Sequence, residues 1–177
     1  VYLDSVHLGQ SPVEKQDFRP GTYQLRIEPE GQGKQPYETQ VHLYPGSKTT
    51  ILWSFASQSE LTGTGDILEL EPLPSKERSE LSVITSPEGA SVNLNSTTYG
   101  LSPVILDEVD PGQYTLSIQA VGHLQKSMSV ALQKGYRLHV YSRLEKEKDG
   151  QAPAAEALPA APSPEPVPTP SPATRTT

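Results

Sequence analysis

The side chains that could do chemistry in this sequence are few and scattered. Four histidines, His7, His42, His123 and His139, stand far apart along the chain. They lack the i, i+4 or short-hairpin spacing that gathers imidazoles on one metal ion, so they read as solvent-facing or loop residues. Glu69 and Glu71 have the parity to share one face of a strand, like paired acids of a glycoside hydrolase or ligands for calcium. Paired catalytic carboxylates need a cleft that drives their pKa values apart. The Gly, Thr and Ser around these two predict an exposed sheet edge blunted by charge. In "GQGK" at 31–34, Gln35 stands where a phosphate-binding loop requires Ser or Thr. With no cysteine there is no thiolate nucleophile, thiolate metal site or disulfide. "NST" at 95–97 matches a glycosylation acceptor at Asn95, in a predicted turn. The expectation is a noncatalytic chain with no cofactor and no metal site. One binding surface can still be drawn. His42 and Tyr44 alternate with Val41 and Leu43, and His139 and Tyr141 alternate with Leu138 and Val140, so strand parity turns all four outward. They are the candidate binding residues, for a glycan or a protein. Trp53 has the parity of Ile51 and Phe55 and is predicted to pack inward.

The elements that must position these residues are constrained by composition. The chain has 177 residues, 34% of them apolar, with 18 Pro and 13 Gly, which suits one medium or two small domains plus unstructured length. A net charge of −7 with 14 scattered basic residues disfavours nucleic acid and anionic membrane surfaces, which select clustered Lys and Arg. No apolar run reaches the roughly 18 residues of a spanning helix, so no membrane insertion is expected in this segment. The opening "VYLDSVHLGQ" is strand-like and unlike a signal peptide, as in a piece of a longer protein.

An internal repeat organises the rest. Residues 1–31 and 92–122 are identical at 13 of 31 positions without a gap, including Gly9/Gly100, Pro12/Pro103, Gly21/Gly112, Tyr23/Tyr114 and Leu25/Leu116. Beyond them Val41, Leu43 and Ile51 fall on Val130, Leu132 and Val140. Period-2 alternation predicts strands around 1–3, 23–27, 41–43 and 51–55, and around 92–94, 114–118, 128–132 and 138–140. Pro-Gly at 20–21 and 111–112 predicts type II turns, with positive φ at Gly21 and Gly112. No helical period is sustained, so the fold class is all-β: two tandem small antiparallel β-sandwiches followed by a disordered Pro/Ala-rich tail. The divisions are residues 1–55, a linker at 56–79 with an extra edge strand at 66–71, residues 80–144, and a charged then Pro-rich tail at 145–177. From 151 on, 8 Pro and 7 Ala in 27 residues favour extended polyproline II, a mobile spacer.

The second copy resembles a PEGA domain, on "PEGA" itself at 87–90, the Gly-x-Ser-Pro step at 100–103, Pro111–Gly112 and the strand ending near Gly122. The resemblance covers about residues 80–144. The first copy matches from after the PEGA stretch onward, without the tetrapeptide or the strand before it. Where the family follows its last Gly with Tyr, this chain has Gln32 and His123. The resemblance implies a noncatalytic structural or protein-interaction module of a bacterial cell-envelope assembly, extracytoplasmic, in the periplasm or at the cell surface. Its partner would be an envelope or surface protein, or copies of itself, or peptidoglycan. The alternatives are a cell-wall glycan-binding module and the extracytoplasmic sensor region of a larger kinase-like protein. The shortened start of the first copy predicts an unpaired edge beside its 1–3 strand, to be covered by 65–71, by a neighbouring chain or, preferably, by residues upstream.

Overall fold

The structure is a computed structural model that describes residues 1–31, 35–55 and 63–147. The readings made for Gln32, Gly33 and Lys34 and for the tail from 151 fall outside the described residues. Those residues form thirteen strands and no helix. The first repeat contributes β1 (Tyr2–Leu3), β2 (Val6–His7), β3 (Gly21–Ile27), β4 (Tyr37–Leu43) and β5 (Thr50–Ser54). The segment between repeats contributes β6 (Thr64–Pro72). The second repeat contributes β7 (Ser79–Ser86), β8 (Ser91–Leu94), β9 (Thr97–Leu101), β10 (Val104–Val109), β11 (Gly112–Gln119), β12 (Lys126–Leu132) and β13 (Tyr136–Arg143).

Three sheets result, in the orders β2-β1-β3-β4, β10-β7-β13-β6-β5 and β12-β11-β8-β9. The middle sheet is common to both repeats, because β6 pairs antiparallel with β5 of the first and with β13 of the second. Pairing is antiparallel throughout except between β13 and β7, which run parallel. The two sandwiches therefore stand in tandem and share a layer. Strand alternation explains how one sheet serves two cores. On β6, Ile67 enters a core with Leu3, Leu25 and Val41, while Leu68 and Leu70 pack against the core of Leu81, Val83, Val92, Leu116, Ile118 and Val140. A fully buried Leu, Ile or Val contributes roughly 1.5–3 kcal/mol. The second core is the larger.

Four expectations are corrected. The strand between repeats is interior rather than an edge, since β5 and β13 flank it. The 1–3 strand is also interior, held between β2 and β3, so among the described residues the first repeat's edge strands are β2, β4 and β5. Residues 145–147 are not tail: Leu124 N–H donates to Glu145 O at 2.8 Å and Glu147 N–H to Gly122 O at 3.0 Å. Finally, neither Gly21 nor Gly112 has positive φ; both open extended strands, and no type II turn precedes them.

The repeated Pro-Gly-x-Tyr has a different cause. The Tyr23 hydroxyl donates to Arg19 O at 2.9 Å, and Tyr114 repeats the bond to Asp110 O at 2.8 Å. A Cβ on Gly21 or Gly112 would lie 3.6 Å from the ring of the tyrosine two residues on. Each ring thus lies along its glycine and ties the strand entrance to the preceding bend, in the manner of a tyrosine corner. Tyr23→Phe and Tyr114→Phe are each expected to cost up to about 1 kcal/mol in urea unfolding. Gly112→Ala should stay within about 0.5 kcal/mol, which a positive-φ glycine would not permit.

Candidate functional site

The four residues chosen by strand parity come together. His42 on β4 and Tyr44 just beyond it have ring centroids 6.2 Å apart, Tyr44 and His139 of β13 are 6.4 Å apart, and His139 and Tyr141 are 6.3 Å apart, all near parallel. They form one ladder across the boundary between the repeats. His42 remains exposed, but the other three do not face open solvent as parity alone predicts. Tyr44, His139 and Tyr141 are half-buried, and Tyr141, from the second repeat, packs against the core of the first. The physical reason is the shared sheet: the face of β13 that turns away from the second core is covered by the first sandwich.

The two glutamates of β6 lie against this ladder. Glu69 is 1% exposed, which overturns the exposed-edge reading. Its Oε1 accepts the backbone N–H of His42 at 2.8 Å, while Oε2 lies 3.7 Å from His42 Nδ1 and has no hydrogen-bond partner. Glu71 Oε2 lies 2.8 Å from His139 Nε2 and 3.4 Å from Arg137. Arg137 Nε in turn donates to Glu80 at 2.7 Å. The carboxylates thus join β6 to β4, to β13 and, through Arg137, to β7.

Burial, and then the nearby Glu71 and Glu69, push the Tyr44 phenol above its ordinary value of 10.0. Tyr141 is raised by burial first and by Glu69 and Glu71 after it. Both tyrosines should ionise above the ordinary phenol value, as ultraviolet difference titrations of the parent chain against Tyr44→Phe and Tyr141→Phe would record. A phenol with a raised folded pKa holds its stabilising contribution below the unfolded value. That contribution is lost as pH climbs through the folded one. Alkaline loss of stability should therefore begin near pH 10 and weaken in Tyr44→Phe.

A second polar contact on the opposite face of β6 escaped sequence reasoning. Asp66 is buried, accepts the Ser142 hydroxyl at 2.7 Å and pairs with Lys126 Nζ of β12 at 2.7 Å. Its only signal in the sequence is an acid beside an apolar strand. The remaining histidines stand apart from the ladder: His7 tilts against Tyr2, and His123 Nδ1 lies 2.9 Å from Val121 O. Among the described residues no group of three or more His, Asp and Glu side chains is arranged to hold a metal ion. Asn95 Oδ1 accepts the Thr115 N–H at 2.8 Å, as Asp4 Oδ1 accepts that of Gln24. In both repeats this residue has positive φ and shapes the turn that follows β1 or its counterpart β8.

The repeat agrees with the family comparison. The model of the PEGA domain matches residues 1–57 and 78–148, one segment per repeat. No curated protein and no solved structure matches. PEGA domains are typically found in extracellular or periplasmic proteins. With both repeats matched and their sandwiches sharing one sheet, this chain belongs to the PEGA domain family.

Proposed function

We propose that the chain is a noncatalytic structural and protein-interaction module of a bacterial cell-envelope assembly. The observation that supports this most is the middle sheet. A flexible linker would leave two independent domains, whereas β6 is hydrogen-bonded into both repeats and sends alternate side chains into both cores. Such a unit holds whatever binds its two ends at a fixed separation and orientation. The ladder of His42, Tyr44, His139 and Tyr141, with both carboxylates, is spent on that junction. An aromatic platform for sugar needs ring faces open to solvent, so this arrangement favours protein contact over glycan.

The test combines two measurements. The purified protein should remain in the supernatant when peptidoglycan sacculi are sedimented. A photo-crosslinking residue at exposed Leu52 should give a discrete protein adduct in intact cells, and the adduct should persist in Tyr44→Ala. Co-sedimentation with sacculi that Tyr44→Ala abolishes would replace this reading with the glycan-binding one.

A further inference from the structure

One face of the middle sheet is covered only in part. Strand register lays Ile84 of β7, Tyr141 of β13, Ile67 of β6 and Ile51 of β5 in one row across that face, and Ser86, Arg143, Gly65 and Trp53 in the next. The first sandwich packs over Tyr141, Ile67 and Ile51 but leaves Ile84 39% exposed. In the second row Gly65 has no side chain to stand between Arg143 and Trp53, so the face dips there. Tyr37, stacked on Trp53, closes the dip from the side of the first repeat. The result is a cleft of about 300 Å³ whose walls include Tyr37, Trp53, Ile67, Ile84, Tyr141 and Arg143. It has the volume of a small ligand site.

Its chemistry is that of aromatic and aliphatic walls beside one cation. Burial raises the Tyr37 phenol above its ordinary 10.0, and the Thr39 side chain and the Arg143 charge act against that rise, so the guanidinium stands within electrostatic reach of the ring. Arg143 takes part in none of the ion pairs among the described residues. Aromatic-lined grooves accept proline-rich segments, because proline rings pack against aromatic side chains and a polyproline II helix has little conformational entropy left to lose. A guanidinium beside such walls selects an acid in the same segment.

We propose that this cleft seats the chain's own segment 162–170, "PSPEPVPTP", in polyproline II form, with proline rings against Tyr37 and Tyr141 and Glu165 paired with Arg143. Two observations single out this occupant. From residue 151 on the acids are Glu156, which lies between alanines, and Glu165, which lies between Pro164 and Pro166. Only the second joins the charge to the rings. The other observation is the tether. Glu147 N–H is held to Gly122 O and follows Arg143 by four residues, so the chain leaves the described fold within about 14 Å of the cleft wall. The 15 residues from Glu147 to Pro162 reach up to about 45 Å in polyproline II form, ample for the return. Such a tether presents the segment to the cleft at an effective concentration on the order of mM. The spacer expected from residue 151 on is thereby fastened at the boundary between the repeats, and its free length begins after Pro170.

The test uses the full chain and the fact that it has no cysteine. A nitroxide on Ser171→Cys, just past the seated segment, is then the sole spin label. It should strip most of the NMR intensity from the amides of Ile84 and Ser86 and from the single indole N–H of Trp53. The amides of β9, in the sheet on the other side of the second core, should keep theirs. Glu165→Lys should restore the lost intensity, and adding Arg143→Glu to Glu165→Lys should remove it again. Unbroadened cleft signals, or equal broadening at β9, would overturn the seat. Selective broadening that survives replacement of Pro164 and Pro166 by alanine together with Glu165→Lys would overturn the proposed chemistry, and failure of the charge swap would overturn the pairing with Arg143. Broadening of an isotope-labelled chain by spin-labelled chains mixed with it would assign the cleft to the tail of a second copy and overturn the intramolecular source.

Discussion

Replacing Gly65 with alanine is expected to cost about 3 kcal/mol or more, the upper range for inserting volume into a packed site. The added Cβ would lie 2.2 Å from the Leu52 carbonyl oxygen, 2.6 Å from Cε3 of Trp53 and 2.9 Å from its Cα. Two of these neighbours are backbone atoms, so no rotamer change relieves the contact; β5 and β6 have to part. Trp53 is the chain's single tryptophan and stacks on Tyr37 with centroids 3.3 Å apart. Its fluorescence therefore reports the disruption where it happens. Urea unfolding followed at Trp53 should show a large drop in midpoint for Gly65→Ala. An unchanged midpoint would mean that β6 does not lie against β5 as described.

Lys126→Met is expected to be nearly as damaging, by a different route. Breaking a buried ion pair by removing one partner costs about 3–5 kcal/mol because the other charge is stranded. Here the lower end applies, since the Lys126 side chain keeps 28% of its exposure and water screens part of the interaction. Asp66 would retain only the Ser142 hydroxyl. Adding Asp66→Asn to Lys126→Met should recover most of the loss, because a neutral amide oxygen can still accept from Ser142. Chemical denaturation of the two single variants and the double variant completes the cycle. Equal losses in Lys126→Met and in the double variant would show that Asp66 carries no stranded charge. Gly65 and Asp66 are adjacent, yet one seats β6 against the first repeat and the other ties it to the second.

Much of this architecture was readable from residue pattern. Tyr, Leu and Ile at 23, 25, 27 and again at 114, 116, 118 mark β3 and β11 because alternation is a local property. Two of the strands that pattern missed, β9 and β10, are irregular. β10 slips register between Leu106 and Val109, and β9 shifts against β8 at Val92/Asn93 while carrying Gly100 at φ 141°. Strand parity picked out His42, Tyr44, His139 and Tyr141, yet parity states only that a residue faces away from its own core. The cover over that face belongs to another repeat, a non-local fact. Gly65 shows the same limit. In sequence, Gly63, Thr64 and Gly65 help predict an exposed edge; in the structure the two glycines leave the space that Trp53 needs. Glu69 reads as edge charge because acids seldom occupy a strand flanked on both sides. Glu69 and Asp66 are both buried in the shared sheet.

The central claim, that one shared sheet makes the two PEGA repeats a single structural unit, is tested most directly by scanning calorimetry of the whole chain. If β6 couples both cores, they unfold together. The account predicts one transition whose calorimetric and van't Hoff enthalpies agree, a ratio near about 1. Two resolved transitions, or one broad transition with a ratio near about 2, would mean that the repeats melt independently and would contradict it.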